Sequence, residues 1–323
     1  MSKIHSFLST GFWLLLATNF LAVLAHGQQD AQFTQYMYNG LYYNPAFAGK
    51  DGGYRFSALH RTQWLNYTGT NGPAPITQLL TGSARINDTK LGLGINFVND
   101  NIAISTNQEL NVSLAYHIRL RRGQLSFGAS GGMYSSTIKF DELFSVNPDP
   151  KIPQTGSETQ MNINYGAGIF FDKIKYYFAL GSRHINQPVF DFAGGEVDNQ
   201  LMNHSYLLAG YRIKTFAQWT FEPSVLVKSV SFNNFSYDLS VIATYNQKVS
   251  AGVAFRGEES VSMLLGYSIL RDNSLRLGYA FDLVVSGQPA KAPTSHEFML
   301  SYVLPDVTRD FQRTIQRTPR FRF

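Results

Sequence analysis

Ser295-His296-Glu297 sets a hydroxyl, an imidazole and a carboxylate side by side, the groups with which a hydrolase activates a serine. The surrounding residues alternate as a strand does, and successive strand side chains point to opposite faces. His296 therefore turns away from both neighbours and can relay a proton to neither. His117 sits on the polar face of its own stretch with no acid two residues away. Gly92-x-Gly94 and Gly166-x-Gly168 are strand glycines at a period of two, not phosphate-cradling loops. There is no His-Glu-x-x-His pair and no Cys, so thiolate metal sites, Cys nucleophiles and disulfides are excluded. The sequence is read as a non-enzyme, with no catalytic, cofactor-binding or metal-binding residue.

The remaining polar chemistry is charge. Arg61, Arg119, Arg183 and Arg256 fall on polar strand faces, as do Asp282 and Glu297. Charges turned into a protein interior need partners. They are expected to form paired ladders that hold a wall to whatever fills it; the alternative is a site for an anionic ligand.

The elements that position them are strands. Leu110, Val112, Leu114, Tyr116, Ile118 and Leu120 lie on one face, opposed by Asn111, Ser113, Ala115, His117 and Arg119. The same alternation gives 14 candidate strands, at 54–65, 76–86, 90–98, 108–120, 124–137, 161–171, 174–184, 203–213, 216–228, 234–245, 248–256, 261–270, 274–284 and 295–304. Links after even-numbered strands are tiny, such as Asp172-Lys173 and Asn246-Gln247, whereas the loops 66–75, 99–107, 138–160 and 185–202 are longer. Short turns at one end and long loops at the other mark an outer-membrane barrel. Composition agrees: 15% charged residues, 14% aromatics and a mean hydropathy of −0.14 suit a wall with one apolar and one wet face. The expected fold is all-β, a transmembrane antiparallel up-and-down β-barrel of about 14 strands with an N-terminal plug.

Four regions follow. Residues 1–27 read as a cleaved signal peptide: Lys3 supplies the positive start, an apolar core runs from Phe12 to Ala25, and cleavage falls before Gln28. Residues 28–52 lack strand periodicity. Phe33, Tyr36, Met37 and Leu41 have helical spacing, and Asn44-Pro45 signals a turn, so a short helix plus turn is expected to tuck into the lumen. Glycines recurring on the inward face, among them Gly92, Gly128, Gly168 and Gly181, suggest a closely approached wall. Residues 53–304 are the barrel. Residues 305–323 are a basic periplasmic tail in which Arg309, Arg313 and Arg317, four apart, give one helical face a positive charge. Without its leader the chain carries 26 basic against 22 acidic residues, and nothing points to nucleic acid.

Phe33-Thr34-Gln35-Tyr36-Met37, Asn44-Pro45-Ala46, Arg61-Thr62-Gln63-Trp64, Glu222-Pro223-Ser224, Gly278-Tyr279-Ala280-Phe281-Asp282 and Ser295-His296-Glu297 follow one another along the chain. In this order they resemble the PorP/SprF family, outer-membrane proteins associated with the type IX secretion system of Bacteroidetes-type bacteria. The closing Arg320-Phe321-Arg322-Phe323 departs from the family's Arg-Phe-Phe ending. With the inward charges, Phe33, Tyr36, Met37, Asn44, Pro45, Trp64 and His117 are the candidates for the plug and lumen.

The resemblance implies an outer-membrane location and a role in secretion or surface attachment of cargo proteins, gliding adhesins among them. Contact would be through the cargo's C-terminal domain, and a periplasmic peptidoglycan-binding component is a further partner. The alternative function is an outer-membrane channel for small hydrophobic molecules with an N-terminal hatch. Such a channel needs a continuous apolar path, whereas the inward faces here are Gly, Ser, Asn and Arg.

Overall fold

The computed structural model describes residues 30–67, 73–86, 89–143, 152–193, 197–215, 218–257, 259–270, 272–285 and 293–304. The expected leader over 1–27 and the tail bearing Arg309, Arg313 and Arg317 lie outside the described residues.

Period-two patterning becomes strand throughout: β1 (Tyr54–Thr62), β2 (Ile76–Arg85), β3 (Leu91–Ile102), β4 (Ser105–Leu120), β5 (Gly123–Lys139), β6 (Ser157–Lys173) and β7 (Tyr176–Arg183). Then follow β8 (Val189–Phe192), β9 (Val197–Gln200), β10 (His204–Tyr211), β11 (Ile213–Lys214), β12 (Trp219–Val230), β13 (Asn234–Tyr245), β14 (Val249–Arg256), β15 (Ser260–Ser268), β16 (Leu275–Val284) and β17 (Thr294–Leu304). Neighbours pair antiparallel, β10 closes onto both β7 and β12, and β1 pairs with β17. With β11 prolonging β10 along β12, the result is a closed barrel of 14 staves. Closure leaves no open edge in the ring, as hydrocarbon demands.

Side chains sort by parity. On β4, Asn111, Ser113, Ala115 and His117 are buried inside, while Leu110, Val112, Leu114 and Tyr116 are each more than 40% exposed on the outer wall. Exposed Tyr54, Tyr116, Tyr176, Trp219 and Tyr245 cluster towards the short-turn end, the position of an interfacial aromatic girdle. Both Tyr54 and Leu304 lie at that end.

β4, β5 and β6 run for 16, 17 and 17 residues, about 55 Å at strand rise, where a tilted span needs about 9–11 residues. Their surplus projects at the long-loop end, where the outer face turns from Leu and Ile to Gln108, Thr106, Thr137 and Thr159. The stretch 99–107, expected as a loop, is strand with a turn at Ala103 and Ile104. The long 185–202 connection contains the β8–β9 hairpin. In place of one helix, the N-terminal segment makes three short turns: 3-10 at Tyr36–Tyr38, α at Gly40–Tyr43 and 3-10 at Pro45–Phe47. Asn39 and Asn44 interrupt it, and proline cannot continue a helix begun before it.

Candidate functional site

The site is the lumen, built from inward-facing strand residues and the segment Asp30–Asp51. That segment starts at the long-loop end. Asp30 accepts from Arg183 Nη1 at 2.8 Å and lies 2.8 Å from His184 Nε2, with Tyr206 donating its hydroxyl to the same carboxylate. His204 Nδ1 stands 3.2 Å away, and Arg183 also pairs with buried Glu109. Burial by itself would raise the Asp30 carboxyl, but the charges of Arg183, His204 and His184 hold it well below the usual carboxylate range.

One turn on, the Thr34 and Gln35 main-chain N–H groups donate to the two oxygens of Glu297 at 2.8 and 2.9 Å. Arg61, 1% exposed, reaches Asp282 at 2.7 Å and Glu297 at 3.2 Å, while the Thr34 hydroxyl donates to Asp282. Lys228 binds Gln32 and, with Arg256, pairs with Asp238. Deeper, Tyr36 sets its hydroxyl 3.0 Å from both Ser224 and Ser240, and burial pushes that phenol up to about 12. Arg276 donates to Tyr38.

The Asn44 amide then donates to Ile169 O at 3.0 Å and Leu180 O at 2.8 Å, tying β6 to β7, and its oxygen takes the Ala46 N–H. This contact needs bare backbone. A Cβ at Gly168 would strike the Asn44 amide, and one at Gly181 would strike the Tyr43 carbonyl. Phe47 stacks on Phe170 at 4.1 Å. The chain leaves at the short-turn end, with Ala48 O 2.9 Å from His117 Nε2 and Gly49 O accepting from Arg85, and Asp51 pairs with Arg55 at the start of β1.

Among the expected residues, Phe33, Tyr36, Asn44 and Pro45 are buried in this segment, and Met37 packs against its core. Arg61, His117, Arg183, Arg256, Asp282 and Glu297 meet it or its immediate partners. Arg119 does not join them. It holds the inward parity, but it is exposed at the short-turn end of β4. Trp64 belongs to the rim rather than the lumen centre, its main-chain N–H donating to Ser295 Oγ. Ser295, His296 and Glu297 diverge as strand geometry requires: His296 turns outward to Tyr279 at 2.9 Å. Sequence reasoning missed Asp30, Glu109, His184 and His204. Inward parity marks Glu109, and its pairing with Arg183 is set by register alone.

Above Asp30 the mouth is partly covered. Phe190 and Phe192 of β8, with Leu201, pack on Tyr134 and Phe140. The hairpin is held by side chains of β6: Gln160 takes the Asp191 N–H, Glu158 the Ala193 N–H, and Asn162 donates to Val189 O. A cavity beside Asp30, Asp100 and Glu109 has room for about one water, near 10 Å³.

Residues 25–302 match the family described as Type IX secretion system membrane protein PorP/SprF. No curated protein matches the chain. Among solved structures, the Ralstonia pickettii toluene transporter TbuX aligns with a TM-score of 0.51 at 9% identity, over 81% of this chain and 92% of that one. The Acinetobacter baumannii outer membrane protein Omp33 aligns at 0.46 and 9%, over 78% and 98%. The CymD monoaromatic hydrocarbon channel aligns at 0.47 and 12%, over 83% and 93%. At 9% identity the likeness to TbuX is one of fold alone: an outer-membrane barrel.

Proposed function

Because the chain belongs to the PorP/SprF family of type IX secretion system membrane proteins, we propose that it is a sealed outer-membrane platform. In this role it supports secretion or surface attachment of cargo through protein–protein contact rather than passing a solute. The N-terminal segment serves as a fixed plug. The carrying observation is the capture of the Thr34 and Gln35 main-chain N–H groups by Glu297, itself paired with Arg61. A hatch that swings open must strip the Glu297 carboxylate of both N–H donors, at about 1.5–3 kcal/mol for each hydrogen bond to a charged group, and must break the buried Asp30–Arg183 pair.

The hydrocarbon-channel reading needs a continuous apolar path behind residues 33–47. The wall there carries Leu59, Leu79, Val98, Leu208 and Leu226, but buried Ser224, Ser240, Asp238, Asp282 and Glu297 interrupt it, which favours a structural filling. The projecting ends of β4–β6 and the β8–β9 hairpin offer an external surface for a cargo C-terminal domain. The tail 305–323 is the proposed reach towards a periplasmic, peptidoglycan-binding component.

The test is deletion of the gene, followed by quantitative mass spectrometry of cell-surface and culture-fluid proteins. One or a few type IX cargo proteins should lose their attachment or be degraded. An unchanged surface proteome, together with impaired uptake of a hydrophobic solute, would overturn the platform reading.

A further inference from the structure

On the outer wall, the row Ser182, Ser205 and Ser229 crosses three adjacent strands one residue inside their long-loop ends, in direct register. Ala167 of β6 continues it opposite Ser182. At this depth a barrel normally presents Leu, Ile or aromatic side chains to lipid. Here the small residues floor a groove of about 490 Å³, whose flank carries Phe235 and the exposed tip residue Phe232. Its depth runs over Leu180, Leu207 and Val227 towards the membrane interior.

Small residues alone would mean little. Ser229 adds an independent sign: it is 94% buried, lines the groove, and its hydroxyl has no hydrogen-bond partner among the described residues. A buried hydroxyl without a partner is costly and asks for one. Ser182 Oγ accepts from the Asn203 side-chain amide and keeps its own proton to donate, and Ser205 donates to the Asn203 side-chain oxygen Oδ1. The floor is also thin. Gly168 and Gly181, which admit Asn44 and Tyr43 on the inner side, lie in the wall of the same groove.

We infer that this groove is a binding site for one membrane lipid of the outer leaflet. The fatty acyl chain lies along Leu180, Leu207 and Val227, and its ester or amide carbonyl accepts from the Ser229 and Ser182 hydroxyls. The depth fits this occupant, because acyl chains join their headgroups about one strand row inside the membrane boundary. An apolar trough ending in hydroxyl donors, with no charged side chain in its lining, matches a neutral carbonyl at the end of a hydrocarbon chain.

The test uses full-length protein reconstituted in phosphatidylethanolamine vesicles containing a phospholipid with a diazirine on one acyl chain. Adducts are mapped by mass spectrometry after illumination. Labelling should concentrate on peptides bearing Leu180, Leu207 and Phe232, and fall about fivefold in Ser229→Ala, the worth of one hydrogen bond. Ser205→Leu, which fills the trough, should abolish the concentration. The Leu114 wall, labelled at its own level in each protein, serves as control. Should Ser205→Leu fail to fold, Ser229→Ala decides. Even labelling around the barrel, or equal labelling of wild type and Ser229→Ala, would overturn the site. So would a photoreactive residue at Leu207 that in cells captures a protein instead of lipid.

Discussion

Glu297 and Thr34 stand 263 positions apart in sequence, yet the Glu297 carboxylate takes the Thr34 main-chain N–H at 2.8 Å and the next N–H, of Gln35, with its other oxygen. An acid on the last strand thereby fixes the chain before the first, and the charge is balanced by Arg61 of β1, the strand beside it.

Removing that acid tests the lock. Glu297→Ala orphans two buried N–H groups and leaves Arg61 with Asp282 alone, so a loss of about 3–5 kcal/mol is expected. Glu297→Gln keeps the shape and one acceptor, and should lose about 1–3 kcal/mol. Urea unfolding of the barrel in lipid vesicles measures both; equal stability of all three proteins would show that the contact holds nothing.

The Asp30 cluster predicts an acid response with a definite sign. The folded carboxyl lies below its unfolded value of 3.8, so its stabilisation is fully present above that value and is lost as pH falls through the lower folded one. Arg183, His184, His204, Tyr206 and Glu109 all face or adjoin it. Protease resistance of residues 30–50 should therefore hold from neutral pH to about 4 and decline only below. Asp30→Asn should weaken protection already at neutral pH and flatten the acid dependence. A variant that keeps the wild-type acid profile would place the response elsewhere.

These contacts were unevenly legible in the sequence. Inward charge at Arg61, Arg183 and Glu297 follows from parity, because one face of every stave must suit lipid. Which charges meet depends on register and on a segment with no period of its own. The helical spacing of Phe33, Tyr36, Met37 and Leu41 misled, because Asn39 and Asn44 break the run and the side chains are distributed around a lumen rather than along one helix face. Residues 99–107 looked like a loop because both faces are polar there. They are strand on both sides of a turn at Ala103 and Ile104. The β8–β9 hairpin left little trace: Val189–Phe192 is too short to declare a period, and its apolar partners Tyr134 and Phe140 lie about fifty residues away.

That hairpin should behave as a separate unit. Phe192 is wholly buried against a cluster outside the main core. Phe192→Ala is expected to cost about 3–5 kcal/mol locally. Hydrogen exchange over 189–200 should quicken accordingly while the amides of β12–β17 keep wild-type protection. Global destabilisation would show that the hairpin is integral to the barrel rather than laid upon it.

The proposed plug is tested by conductance. Gly168→Leu places a side chain where the Asn44 amide sits, and so should force the segment off β6 and β7 without touching any ion pair. Deleting residues 30–50 removes the obstruction altogether while leaving every stave of the barrel in place. In planar bilayers the wild-type protein should carry almost no ion current, Gly168→Leu should flicker, and the deletion should open in discrete steps, since a 14-stave barrel encloses more room than its own side chains fill. Refolding of each variant is checked by heat-modifiable mobility, so that silence from an unfolded protein is not mistaken for closure. Steady large currents through the wild-type barrel would mean that the segment is no seal, and would overturn the sealed-platform reading.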